Sequence, residues 1–164
     1  IMTGTLPELI DPLEFVDKRK RIHGELSLSR MARLEGMILN PEDKVRLDLS
    51  FMREDRYSVI SGHIEATLIL ECQCCLEPMD WPVACELRLG IVSSVDESAR
   101  LPDSLEPFLL TGDPLVSVSD LIEDELLLAI PPVPQHSVCV SVAESARNSS
   151  RSAFAVLAQL QGKI

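Results

Sequence analysis

Aromatic residues are scarce in this chain of 164 residues: four Phe, one Tyr and one Trp, 4% in all, so any core must be built from Leu, Ile, Val and Met. Long apolar runs are missing as well. The longest, such as Leu126–Ile130, fall far short of the roughly 20 residues needed to cross a bilayer, which predicts no membrane partner. The seven glycines form no G-x-G cluster and no phosphate-cradling loop, so nucleotide binding has no support. No HExxH and no nucleophile elbow is present, and the three histidines, His23, His63 and His136, are far apart. No basic segment followed by an apolar one stands near Ile1, which predicts a cytoplasmic location.

Positive charge is short too, and unevenly so. There are 15 Lys and Arg against 26 Asp and Glu, a net of −11. Up to Arg56 the balance is 10 against 11; from Tyr57 onward it is 5 against 15. The C-terminal two-thirds should repel phosphate backbones and suit a basic protein. A nucleic-acid surface would belong to the N-terminal part, where Lys18, Arg19, Lys20 and Arg21 form the one dense basic run and Arg30 and Arg33 follow.

What remains is enough for one domain. The apolar fraction is 46% and the charged fraction 25%, ordinary for a globular protein. Asp11 before Pro12 is a helix start, and a short helix carrying the basic run is expected to stop near Gly24. Leu28, Met31, Leu34 and Ile38 predict a second helix that ends at Asn40-Pro41. The period then changes to two: Val45–Phe51, Ile60–Cys72 and Trp81–Ile91 are expected strands, with Gly62 marking a bulge and Cys74–Pro78 forming a hairpin tip. Cys85 falls on the apolar side. Pro107 restricts Leu105–Leu110 to an edge. Ser119 caps a helix with Leu121, Ile122, Leu126, Leu128 and Ala129 inward, stopped by Pro131-Pro132. The pattern is α+β: an antiparallel β-sheet or partly closed barrel flanked by N- and C-terminal helices. We divide it into a domain over 1–139, a linker over 140–152 and a terminal amphipathic helix over 153–164.

Five cysteines, an odd number with three clustered, argue against a disulfide framework and for reduced thiols. Cys72 and Cys75 form a C-x-x-C, and His136 and Cys139 form an H-x-x-C. Together they could supply four ligands for zinc, although 61 positions separate Cys75 from His136. Glu123, Asp124 and Glu125 are consecutive on a helix and point about 100° apart. They cannot converge on one ion or act as paired acid and base, so a solvated acidic face is expected. Asp120, Glu123 and Asp124 are the candidate contacts for a basic partner.

These motifs come in a telling order. Leu6-Pro7 and Ile10-Asp11-Pro12 precede Leu68-Ile69-Leu70-Glu71-Cys72-Gln73-Cys74-Cys75-Leu76-Glu77-Pro78. Then follow Leu101-Pro102-Asp103, Asp120–Pro131, Val133-Pro134, His136 and Phe154–Leu157. The chain resembles the bacterial YceD family of large ribosomal RNA subunit accumulation proteins. The resemblance implies a non-enzymatic factor for synthesis, processing or stability of 23S rRNA, with that RNA or its precursor, and a basic ribosomal protein, as partners. Family motifs commonly carry Arg immediately before the second cysteine, where this chain has Cys74. The alternative reading is an acidic adaptor that docks on a basic protein or enzyme, with any rRNA effect indirect.

Overall fold

The computed structural model describes residues 6–139. The expected linker and terminal helix lie outside the described residues. Among those described, β1 (Leu9–Ile10), α1 (Pro12–Asp17), β2 (Arg21–Ser27), β3 (Lys44–Glu54), β4 (Tyr57–Glu71), β5 (Pro78–Val92), α2 (Val95–Ser98), β6 (Glu106–Leu109), β7 (Val116–Ser117) and α3 (Val118–Ala129) follow in order. The main sheet runs β2-β3-β4-β5-β6 and is open, with β2 and β6 at its edges; β1 and β7 form a separate small pair. The chain is thus α+β, and the sheet does not close into a barrel.

The two-residue period sets the three central strands. Leu47, Leu49 and Phe51 of β3 register with Ile64, Gly62 and Ile60 of β4, which in turn meet Cys85, Leu87 and Leu89 of β5, while Val45 faces Leu26 of β2. One face of the sheet is therefore continuously apolar and buried. Against it pack α1, through an edge-on Phe15–Phe51 contact at 5.2 Å, and α3. The opposite face carries Arg46, Asp48, Ser50, Ser61, His63 and Glu65. It is open to solvent except where Leu101 and Leu105 lie over Gly90. Pro107 sits on β6 at the sheet edge, as expected, but that strand pairs in parallel with β5.

One expected helix is cut short and another is absent. The basic run does not continue α1, which stops at Asp17; Arg19 adopts φ 49° and turns the chain into β2. Arg21–Ser27 then pairs with β3 along its whole length, burying Ile22 and Leu26. Leu28, Met31, Leu34 and Ile38 are buried as their spacing requires, but two 3-10 turns, Leu28–Arg30 and Ala32–Leu34, deliver them. A 3-10 turn repeats every three residues, so 28, 31 and 34 share one face without an α-helix. Gly36, at φ +78°, then reverses the segment.

Gly62 marks no bulge: it pairs in unbroken register with Leu49 and Leu87. Its requirement is close approach, because a Cβ there would lie 2.2 Å from the Asp48 carbonyl oxygen and 2.7 Å from Leu49 Cδ2. Neither strand can give way inside a paired sheet. Gly62→Ala is expected to lower stability by about 3 kcal/mol, measured as a shift in the urea midpoint. A change under about 0.5 kcal/mol would show that the strands separate freely there.

Candidate metal centre and basic surface

The β4–β5 hairpin has a wide tip. The Cys72 N–H bonds the Glu77 carbonyl and the Leu76 N–H bonds the Cys72 carbonyl, with Leu76 held at φ 64°. This closes the Cys72–Cys75 segment into a tight loop whose side chains converge. The second half of the site arrives after α3. Pro131 ends that helix, the Trp81 indole N–H donates to the Ala129 carbonyl at 3.0 Å, and the Gln73 N–H donates to the Pro134 carbonyl at 2.8 Å. His136 and Cys139 are thereby laid on the hairpin tip.

The ligand atoms of Cys72, Cys75, His136 and Cys139 all lie within 4.8 Å of one another. Cys72 Sγ is 3.7 Å from Cys139 Sγ, and Cys75 Sγ is 3.4 Å from His136 Nδ1. Two sulfurs bound tetrahedrally at about 2.3 Å from zinc are about 3.8 Å apart, so these separations fit the edges of a zinc tetrahedron. The four could hold a metal ion, and the fold closes the gap of 61 positions. Cys74, between the two hairpin ligands, is a further thiol packed with them against the core.

Electrostatics at the cluster favours a cation. Burial pushes the Cys72 thiol up, but N–H donors of Cys75, His136 and Cys74, with the Cys75 thiol, outweigh it and hold Cys72 down at about 5. Cys139 moves the other way. Hydrogen bonding to Cys74, burial, contacts with Cys75 and Cys72, and the repulsion of a charged Cys72 all raise it. Without a cation, one member of the Cys72–Cys139 pair charges and the other keeps its proton. A divalent ion removes that repulsion.

The basic residues are mostly engaged with acids. Arg21 forms a two-bond pair with Asp48 at 2.7 and 2.6 Å; the hydrogen bond raises the guanidinium and lowers Asp48. Lys18 pairs with Glu14, and Arg30 with Glu8. The Lys20 ammonium sits 4.2 Å from the centre of the Phe15 ring. Exposed pairs of this kind are worth roughly 0–1 kcal/mol, so Lys18, Arg21 and Arg30 can exchange a carboxylate for another anion. Arg33 is different. It reaches Glu123 at 2.9 Å and Asp124 at 2.5 Å, and both bonds raise its guanidinium, Asp124 foremost.

Glu123 corrects the expected solvated acidic face. It is the buried charged residue of the described core, 3% exposed, and accepts from the Arg33 N–H at 2.5 Å and the Leu34 N–H at 3.2 Å besides the Arg33 side chain. As a contact for an outside partner it is therefore unsuited. Asp120 and Asp124 stay exposed, and the Asp120 carbonyl accepts from Arg33. Leu128, expected inside, is 79% exposed, whereas Cys85 is half-buried against the core. The Arg33–Glu123 union was invisible in the sequence, since 90 positions separate the two; the one available signal was an acid bordering the Ile122–Leu126 apolar stripe.

Comparison with known proteins completes the description. No solved structure matches the chain. Residues 60–161, which include the hairpin, α3 and the His136–Cys139 segment, match the family model described as large ribosomal RNA subunit accumulation protein YceD. A protein of the same description from Haemophilus influenzae is 30% identical over 133 residues, covering 80% of this chain and 76% of that protein. The hairpin with its C-x-x-C, the acid-rich α3 and the proline turn that follows are therefore features of a chain that belongs to the YceD family.

Proposed function

We propose that this chain is a non-enzymatic factor that supports accumulation of large-subunit 23S rRNA, through its synthesis, processing or stability. The observation that carries this reading is the match to the Haemophilus influenzae protein over four-fifths of the chain. The fold suits recognition more than chemistry. The depressions on the polar face of the sheet, such as the one of about 380 Å³ between His23, Arg46, Asp48 and Glu65, are open to solvent. Of their acids, Asp48 is paired with Arg21 and Glu25 with Lys44 and Arg46 on the neighbouring strand. We place the chain in the cytoplasm; among the described residues no helix is long and apolar enough to cross a membrane.

The ion at the cluster is zinc on this reading. Three thiolates and one imidazole form a closed set of four, and zinc there would tie the hairpin tip to the segment after α3. Cys72, Cys75, His136 and Cys139 hold it; the backbone N–H of His136, 3.4 Å from Cys72 Sγ, steadies that thiolate.

Deleting the gene in its host is expected to lower the ratio of 23S to 16S rRNA, with restoration by a plasmid copy. An unchanged ratio would reject the assignment. A second reading has its own support: Lys18, Arg21, Arg30 and Arg33 are paired with acids, and the chain beyond Arg56 is strongly acidic. In that reading the chain docks on a basic protein, and the rRNA effect is indirect. Reversing the charges of Lys18, Arg19, Lys20 and Arg21 separates the two. Loss of RNA retention marks direct contact. Unchanged rescue, with one basic protein retained after RNase treatment, marks the adaptor.

A further inference from the structure

We propose that the outer edge of β2 is a self-pairing surface: a second copy of this chain adds its own β2 there, antiparallel about Gly24, and joins two open sheets into one. β2 pairs with β3 over seven residues in unbroken register, and among the described residues no strand pairs with its other edge. The ladder fixes which backbone groups face outward. The Phe51 N–H donates to the Lys20 carbonyl and the Leu28 N–H to the Asp43 carbonyl, so the even-numbered residues of β2 turn their N–H and C=O groups toward β3. Arg21, His23, Glu25 and Ser27 turn theirs away from the sheet. Exposed edges are commonly blunted by proline, lysine or a bulge, and β2 carries none of these. The other edge of the sheet is blunted: β6 has four residues, of which Pro107 lacks an N–H.

The residues of β2 select the partner. Laid antiparallel on itself about Gly24, the strand sets Ile22 opposite Leu26, His23 opposite Glu25 and Arg21 opposite Ser27. Paired residues share a face of the sheet. Ile22 and Leu26, both buried, therefore extend the apolar face across the joint, and on the polar face an imidazole meets a carboxylate. The four residues whose backbone groups face outward are the ones that exchange N–H···O bonds in this register. Gly24 meets Gly24 at the two-fold axis. The Leu6 side chain covers each glycine from the apolar side, with its Cγ 3.0 Å from where a Cβ would stand. Sliding the copies by two residues spoils the match. One way, Glu25 meets Glu25. The other way shortens the pairing to about five residues, sets His23 on His23 and leaves Ile22 opposite Gly24. Its one gain, Arg21 on Glu25, competes with the Arg21–Asp48 pair already made. The interface is thus isologous, the same edge serving on both copies.

The test uses the full chain. Sedimentation equilibrium is expected to show a reversible monomer–dimer equilibrium with Kd on the order of 100 μM, as suits a small interface made by one strand edge. Backbone N–H exchange, followed residue by residue by NMR, locates the joint. Raising the chain from about 50 μM to about 1 mM is expected to slow the N–H groups of Arg21, His23, Glu25 and Ser27 about threefold. Those of Ile22, Gly24 and Leu26, already bonded to β3, should be slow at both concentrations. Glu25→Pro removes one outward N–H and leaves the β3 ladder whole. It is expected to keep the fold and to be monomeric at about 1 mM; if it does not fold, the exchange pattern of the native chain decides alone. Three results would each overturn the proposal: a native chain monomeric at about 1 mM, a dimer whose outward N–H groups exchange at an unchanged rate, and a folded Glu25→Pro chain that still dimerises. Protection that ends before Ser27 would overturn the Gly24 register.

Discussion

Glu123→Ala is expected to destabilise the fold by about 3 kcal/mol, lowering Tm by roughly 10 °C. The side chain lies in the core beside Leu34 and Ile122, where a carboxylate persists only because its oxygens are fully used. Truncation removes the acceptor of the Arg33 N–H altogether, while the Leu34 N–H keeps the Met31 carbonyl at 3.2 Å. It also leaves the Arg33 guanidinium with only Asp124 and the Asp120 carbonyl, and opens a cavity under the two 3-10 turns. Those turns place Leu28, Met31 and Leu34 in the core, so the loss spreads beyond one bond. Glu123→Gln keeps an acceptor and should cost about 1 kcal/mol. Asp124→Ala breaks only the exposed arm of the same cluster and should stay within about 0.5 kcal/mol. Urea unfolding of the three variants checks the order. If alanine at 123 is no worse than alanine at 124, the acid is not an anchor.

The central sheet was legible because burial on one face forces alternation, and β3, β4 and β5 keep it for 11 and 15 residues. Short elements lack that redundancy. In β2 the apolar side consists of Ile22, Gly24 and Leu26, and the run of four cations ahead of it imitates a helix end. Only the need of β3 for an outer neighbour makes a strand there, and that need is not local. The segment from Leu28 to Ile38 was legible as to which residues are buried, but not as to how. A spacing of three fits a 3-10 turn as well as an α-helix over so few turns, and the surrounding Ser27 cap and Gly36 decide the outcome.

For the site, each half was readable by itself, because two side chains separated by two residues can reach one ion. Their union was not. It depends on Trp81 and Gln73 bonding to carbonyls at the end of α3 and in the proline turn, contacts made across 48 and 61 positions. The acids on α3 were misjudged for the same reason. Helical geometry correctly keeps Glu123 and Asp124 from sharing an ion, yet one long guanidinium spans both.

Removing the metal should produce the largest change of all, because it unfastens the segment after α3 from the hairpin. The purified chain is expected to carry about one zinc per chain, and Cys72→Ser to carry almost none. Chelation should lower Tm by on the order of 10 °C in the native chain and leave the serine variant where it already is. Cys72 is the choice for replacement because it is fully buried, receives the His136 N–H and meets the Cys139 thiol. A hydroxyl there keeps the size but loses the charge that attracts the ion. Cys85 supplies the comparison: it packs against the same core from the middle of β5, so Cys85→Ser disturbs apolar contacts but no ligand. Full zinc content in Cys85→Ser with loss in Cys72→Ser assigns the metal to the hairpin. If Cys72→Ser retained its zinc and its melting temperature, the 3.7 Å approach of Cys72 to Cys139 would be mere thiol packing.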